Sequence, residues 1–456
     1  MMRDRNIRML YLQPAAHFGG AERQAATIMP LLGEFGIEAI PLVGPGHEIT
    51  NWLEANGIDN YVLTNNFPGG WTKPHGLARM SLPWRYARCV RDFRDELEQL
   101  IRDRDIDVLF AAMAFSWIAA TPVAHRLGVP IVWRAGGTEC SGAQRTVLSA
   151  WTRWHRPEWL VCNGEAVQHM YAPLVRAPSR MIRNGLDAHQ FHPGAGDPTR
   201  LRPPGARVVI GFAARLVPQK RPEDFIEAAA RFADQGDVAF LFAGDGSRLG
   251  YYTELARSRG ASTLHVTGYL RDMRDFYAAC DVLVLPSRSE GCPNVVLEAM
   301  AMRTVVVAAD APATREIVTS GHDGILYPVG DVDALQRALA TLIYDAEARR
   351  KLCASGYGRA CQLTARECAA RTAALLRDVV AAHQPQRALA TTPNTVQPAW
   401  RNTRAGWARA QDRARSRRRD IRRQDRRGTG CRRSERSARD PLQGRGTNRR
   451  AGRPHP

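Results

Sequence analysis

Two glutamates eight residues apart, Glu290 and Glu298, bracket the run Ser289-Glu-Gly-Cys-Pro-Asn-Val-Val-Leu-Glu-Ala-Met300. A carboxylate only accepts hydrogen bonds, which suits it to neighbouring sugar hydroxyls that offer two donors side by side. An isolated pair at this spacing more often marks a solvated loop and a helix surface, so the context decides. The apolar run Asp281–Pro286 reads as a buried parallel strand. Small and polar residues then turn the chain, and Pro293 and Asn294 open an apolar helix at favoured N-terminal positions. Strand, tight turn and helix N-terminus together aim several backbone N–H groups at an anion. A second set, Arg215-Leu-Val-Pro-Gln-Lys220, follows a strand at Val208–Phe212, where a phosphate-facing loop is expected. A guanidinium fork and an ammonium point charge suit phosphate, although either residue alone is an ordinary surface cation. A third candidate is the pair Gly19-Gly20 between the first strand and its helix, which lets a ligand approach the backbone closely.

These residues need elements to hold them. Strands are expected at Ile7–Leu12, Glu38–Val43, Tyr61–Leu63, Val108–Ala111, Ile131–Trp133 and Trp159–Cys162, with helical patterns between several of them. The Pro- and Gly-rich stretch 193–206 has the composition of a linker. A second alternation follows at Val208–Phe212, Ala239–Ala243, Leu264–Val266, Val282–Leu285 and Thr304–Ala308, and an amphipathic helix spans Thr364–Ala382. Strands alternating with helices imply doubly wound parallel sheets. The division expected is a Rossmann-like domain at 1–192, the linker at 193–206, a second Rossmann-like domain at 207–363, a helix at 364–383 and a tail at 384–456. A ligand cleft between two such α/β halves is the default.

The net charge of +19 suggests nucleic acid or anionic membrane as a partner, but its distribution argues otherwise. The tail from Gln384 holds 21 Arg, no Lys and 5 acidic residues; the rest carries 43 basic against 40 acidic groups. With few apolar residues and no periodicity, the tail is expected to be disordered. It is either a polybasic arm or an extension without function. Nine cysteines without a Cys-x-x-Cys pair form neither a disulfide framework nor a zinc pattern, which fits a reducing cytoplasm. No signal peptide is read at the N-terminus. Val108–Ala124 is slightly short for a membrane span. The helix expected at Arg79–Asp103 carries Arg85, Arg88, Arg91 and Arg94 near its start, which suit an anionic lipid surface, although the acids after them suit an ordinary solvated helix.

Taken with Gly19-Gly-Ala-Glu-Arg23, Asn184-Gly-Leu-Asp187 and Gly244-Asp-Gly246, the Arg215–Lys220 and Glu290–Glu298 motifs resemble glycosyltransferase family 4, whose members are retaining, nucleotide-sugar-dependent enzymes of the GT-B fold. The resemblance covers about Ile7 to Ala382. It implies that Arg215 and Lys220 hold the donor diphosphate, Glu298 the ribose and Glu290 the transferred sugar. Amides of Gly291, Cys292, Pro293, Asn294 and Val295 would meet sugar and phosphate; Pro293 itself has no N–H. Leu270, in Gly268-Tyr-Leu-Arg271, would lie where the backbone cradles the base, and Gly19 and Gly20 would approach the diphosphate from the other domain. The 1–192 domain would be the acceptor side and the 207–363 domain would bind the nucleotide sugar, and the last helix would pack back toward the N-terminal domain.

The implied reaction moves a hexosyl unit from a nucleotide sugar, UDP-linked by family weight, to a glycan or lipid-linked acceptor, as in surface-polysaccharide synthesis. Peripheral association with the inner face of the membrane is an open partner class, and no specific nucleic acid is expected. Fixed cations and a helix N-terminus leave no need for a metal. The triplets Asp103–Asp105, Asp105–Asp107 and Asp331–Asp333 read as caps and turns. Histidines common in relatives are replaced by Phe110-Ala-Ala-Met113 and Trp133-Arg-Ala-Gly-Gly-Thr138, leaving Arg134 as a phosphate or acceptor contact or a structural residue and His17 as a weak candidate. A GT-B nucleotide-sugar epimerase is the alternative. A polybasic nucleic-acid or membrane binder acting through the tail is the next, and a dehydrogenase lacks its Gly-x-Gly-x-x-Gly.

Overall fold

A computed structural model describes residues 5–13, 20–44, 47–66, 82–138 and 140–390. Gly19, His17 and the tail beyond Ala390 lie outside the described residues. The first half alternates β1 (Ile7–Gln13), α1 (Gly20–Leu32), β2 (Ile37–Val43), α2 (His47–Ala55), β3 (Val62–Leu63), α3 (Leu82–Asp103), β4 (Val108–Ala112), α4 (Ala114–Leu127), β5 (Ile131–Ala135), α5 (Gly142–Trp151), β6 (Trp159–Cys162), α6 (Glu165–Val175) and β7 (Ser179–Met181). The second half runs β8 (Val208–Ala213), α7 (Pro222–Arg231), β9 (Val238–Ala243), α8 (Leu249–Ser258), β10 (Leu264–Gly268), α9 (Arg274–Ala279), β11 (Val282–Leu285), α10 (Asn294–Ala301), β12 (Val305–Ala309), α11 (Pro312–Arg315), β13 (Ile325–Tyr327), α12 (Val332–Tyr344) and α13 (Ala346–Cys361), and α14 (Ala365–Ala390) closes the described chain.

Both sheets are parallel and wound the same way: β3-β2-β1-β4-β5-β6-β7 and β10-β9-β8-β11-β12-β13. Their inner strands are buried over nearly every residue, as the continuous Val, Ile, Leu and Phe runs require when helices cover both faces. Each sheet packs one apolar cluster on either face. All eleven expected strands form within about two residues of their expected ends. The two strands not foreseen, β7 and β13, are three-residue edge strands too short to leave a pattern.

In each sheet the order reverses between the first and fourth strands of the half, β1/β4 and β8/β11. Loops diverge there at the carboxyl ends of the strands, which makes the crevice where open α/β sheets hold ligands. The chain crosses between halves twice, and the crossings are stitched together: Leu186 N–H donates to Leu363 O at 2.8 Å, and Ala365 N–H returns to Leu186 O at 2.8 Å. A side chain at Gly185 would put its Cβ 2.4 Å from Thr364 O, so only glycine fits that crossing. Gln24 of α1, with its amide turned to match its neighbours, clamps both the N–H and the carbonyl of Gly185.

After the second crossing α14 lies on the first half, burying Cys368, Ala369, Ala373, Leu376 and Val379 against α1 and β1, and Arg377 donates to Phe35 O at 2.8 Å. The helix runs to Ala390, past the Ala382 and Gln384 limits expected from the sequence. Gln, Arg, Ala and Leu after Gln384 are good helix formers, and Pro385 does not end the helix. The stretch 193–206 is pinned rather than loose: Asp197 N–H and Arg200 both donate to Asp275, and Arg202 donates to Ala279 O and Asp281. Among the described residues no helix is long and apolar enough to cross a membrane.

Candidate active site

Two loops leave the sheet where β8 and β11 part, and they carry the strongest candidates. Lys220 Nζ donates to Glu290 Oε1 at 2.5 Å, with both side chains mostly shielded. The neighbouring Gln219 donates to Ser289 O at 2.7 Å, and Arg288 N–H donates to Gln219 O, so the two loops brace one another on both sides of the ion pair. Arg215 is exposed on the first of these loops; its carbonyl accepts from Val217 N–H at 2.8 Å, and its guanidinium has no hydrogen-bond or ion-pair partner among the described residues. Its loop is tied down by Leu216 N–H donating to Asp245 O at 2.9 Å.

The turn then runs through Gly291, Cys292 and Pro293 into α10. Pro293 is the N-cap and offers no side-chain acceptor, so the first-turn amides of Asn294 and Val295 are not capped from within. Burial pushes the Cys292 thiol up to about 12, which makes it inert packing rather than a nucleophile. Leu270 follows β10 and is half-buried against the apolar cluster that Cys292 and Val295 also pack on.

Glu298 is 6 % exposed and lies on the cleft side of α10. Tyr277 Oη donates to its Oε2 at 2.7 Å, and Arg23 of α1 stands 3.9 Å from its Oε1. Burial raises its pKa, while Arg23 and the Tyr277 hydrogen bond pull it down. Arg23, Gln24, Asp187, Asn294 and Leu297 line the same cleft with it, so the pocket belongs to both halves.

Several contacts close the cleft above this pocket. Asn294 Nδ2 donates to Gly20 O at 3.0 Å, which sets the glycine loop of the first half against the α10 N-terminus. Asn184 donates to Asn294 Oδ1 at 2.8 Å and itself accepts from Arg134 at 2.9 Å. Thr138 and Ser289 share a short hydroxyl contact. A Cβ on Gly291 would fall 2.0 Å from Gly136 O, and one on Gly164 would fall 2.6 Å from Gly291 O. Gly291 is absent from the left-handed region, so close approach rather than backbone shape requires it. Farther out, Glu316 accepts from Glu165 N–H at 2.7 Å and from Arg183 at 3.3 Å.

In the sequence Arg23, Gly136 and Asn184 stand within the quoted stretches without a task of their own, and Tyr277 and Glu316 are not singled out by any motif. Arg134 resolves as structural: it is 8 % exposed, facing Tyr11, Asn184 and Cys368 beneath α14. Met113, in place of an expected histidine, opens α4 at φ +71°, costly for a side chain, and is exposed at the β1/β4 switch. The Asp triplets have local partners: Asp331 caps α12 through Ala334 N–H, and Asp107 accepts from Arg8 N–H and the Arg5 guanidinium. Among the described residues no group of three His, Cys, Asp or Glu could hold a metal ion.

Two parallel-sheet Rossmann-like halves facing across a cleft constitute the GT-B architecture, and comparison with solved structures bears this out. Sucrose-phosphate synthase from Thermosynechococcus elongatus superposes with a TM-score of 0.68 at 15 % identity, over 83 % of this chain and 100 % of that one. Anabaena HepE in complex with UDP and glucose superposes at 0.67 with 20 % identity, over 82 % and 100 %. The family profiles "Glycosyltransferase Family 4" and "Glycosyl transferases group 1" match residues 47–190 and 207–345. The chain is 30 % identical over 346 residues to the lipopolysaccharide core biosynthesis glycosyltransferase LpsE of Rhizobium meliloti (strain 1021), 75 % of this chain and 91 % of LpsE. It is 27 % identical over 346 residues to a GDP-mannose-dependent alpha-mannosyltransferase of Mycobacterium tuberculosis (strain CDC 1551 / Oshkosh), 72 % of this chain and 85 % of that protein. The chain belongs to glycosyltransferase family 4, and it is a glycosyltransferase.

Proposed function

We propose that this enzyme transfers a hexosyl unit from a nucleoside-diphosphate sugar to a glycan or lipid-linked acceptor, with the anomeric configuration retained. The observation that carries the reading is the placement of Lys220 and Glu290 on the two loops that part at the β8/β11 switch, beside the uncapped N-terminus of α10. Lys220, Arg215 and the α10 amides would take up the negative charge that grows on the departing diphosphate. Glu290 would hold hydroxyls of the sugar as positive charge builds at its anomeric carbon. Glu298 and Arg23 would receive the ribose, and Leu270 would lie against the base. With two cations and a helix terminus supplying this charge, transfer proceeds without a divalent metal. Retention comes from the family resemblance. Relatives named for GDP-mannose weigh toward GDP-mannose as donor, ahead of the UDP-sugar expected from the sequence.

Calorimetric titration of the full chain with UDP and with GDP, in EDTA, tests the site. One nucleotide binds without metal, and Lys220→Ala weakens it at least tenfold, since a charge-assisted contact contributes about 1.5–3 kcal/mol. Equal affinity in the variant, or binding that appears only when magnesium is restored, refutes the assignment. The anomeric proton coupling of the product, read by NMR, decides retention.

A further inference from the structure

The outermost line of α5 is apolar, the reverse of an ordinary surface helix. Ala143, Val147, Ala150 and Trp154 recur at helical spacing, i, i+4, i+7 and i+11, and all four are exposed. Trp154 is 81 % exposed, the highest figure among the exposed large hydrophobic residues, and Val147 is 58 % exposed. The core-facing side of the same helix is held by Leu148 and Thr152, both buried, so the helix is correctly seated and its apolar ridge is left uncovered. Trp154 continues the helical path: Thr152 keeps φ −70°, and the N–H groups of Arg153 and Trp154 donate to Ala150 O and Trp151 O.

Charge says what covers this ridge. From Cys140 to Pro157 there is no Asp or Glu, while Arg145, Arg153 and Arg156 are exposed, and none of the three guanidinium groups has an acceptor among the described residues. The partner is therefore anionic and has an apolar interior. The chain's own remaining segments are ill-suited: the tail carries 21 Arg against 5 acids, and residues 67–81 carry Lys73 and Arg79 with no acid. One helix ridge with two sizeable apolar side chains also falls well short of the ~800 Å² per partner of a stable protein interface.

We propose that α5 and Trp154 form a membrane-contact ridge that seats the acceptor-side half on an anionic lipid surface. Trp154 and Val147 enter the headgroup boundary, and Arg145, Arg153 and Arg156 meet lipid phosphates. Indole rings favour that boundary, and basic residues beside an apolar face add attraction to anionic headgroups. This rests on the lipid-linked choice of acceptor within the function proposed above.

The test is co-flotation of the full chain with phosphatidylglycerol–phosphatidylcholine vesicles, at about 0.5 M salt to screen the Arg-rich tail. The wild type floats with anionic vesicles, and Val147→Glu/Trp154→Glu lowers the bound fraction at least tenfold. Transfer to a water-soluble acceptor, measured in parallel, stays unchanged in the variant, which separates this proposal from the transfer reading. Equal flotation of variant and wild type overturns the ridge. So does a wild type that self-associates in sedimentation and becomes monomeric in the variant, or a variant whose soluble transfer falls with its vesicle binding.

Discussion

The two halves are built on one winding scheme, yet they present their chemistry differently. In the second half the candidate residues come from two neighbouring stretches at one switch point, the Arg215–Lys220 loop and the turn from Glu290 into α10, and the two brace each other. In the first half the residues that reach the cleft come from three separate stretches: Gly20 and Arg23 of α1, Gly136 and Thr138 after β5, and Asn184. Most of these contribute backbone atoms or neutral side chains. A half that binds a highly charged donor needs a dense local constellation, whereas one that closes over it needs shape. The difference predicts that damage to the two halves will fail in different ways.

The largest effect is expected at the point where shape decides. Gly291→Ala keeps a permitted backbone but drives a methyl group into Gly136 O, 2.0 Å from the ideal Cβ. The halves must then part by an ångström or more, and misplacement on that scale costs about 100-fold in rate. Activity should fall by that factor, while the melting temperature and nucleotide affinity of the second half stay close to wild type. Steady-state kinetics beside calorimetry gives the answer; near-normal turnover in Gly291→Ala would mean that closure at this contact is not used.

Next come the two glutamates. Glu290 touches the transferred sugar in our reading, so Glu290→Gln should lower kcat roughly tenfold to hundredfold and leave the affinity for free nucleotide nearly unchanged. Glu298 is assigned to the unreactive ribose, so Glu298→Gln should chiefly raise KM. Its pH signature is separate. Folding raises this carboxyl above its ordinary 4.5, so the folded chain holds the proton more tightly than the unfolded one. The contribution to stability is therefore greatest below 4.5 and declines as pH rises through the window up to the raised value. Thermal melts from pH 4 to 8 should show that decline in the wild type and lose it in Glu298→Gln. Reversed kinetic roles would invert the site assignment.

How legible was this from sequence? The eleven strands, both sheets and the β8/β11 loops were legible because apolar runs and loop motifs are local. Lys220 even stands out by composition, one of three lysines in a chain that otherwise uses arginine. The Lys220–Glu290 contact spans 70 residues and needed coordinates. Tyr277 looked like an ordinary core aromatic, and nothing nearby announces that its hydroxyl meets Glu298. Gly136 gave no signal because its carbonyl, not its side chain, makes the fit. Arg134 was undecidable until its place under α14 was known, since a buried arginine and an acceptor arginine share the same letter.

The smallest expected effect lies at the rim, and it separates closure from chemistry. The N-cap of α6 is Gly164, which has no side chain to satisfy the first amides of the helix. Glu316 supplies the missing acceptor from the other half and pairs with Arg183 as well, with its own side chain shielded. A cap contributes about 1 kcal/mol, and this one exists only while the halves are together. Glu316→Ala should therefore shift the balance toward the open form by roughly fivefold. KM for the donor rises by up to about that factor, kcat at saturation changes little, and small-angle scattering of the unliganded chain shows a larger radius of gyration. If kcat instead collapses while KM holds, Glu316 acts on the reacting atoms, and the division between a donor-binding half and a closing half fails at its edge.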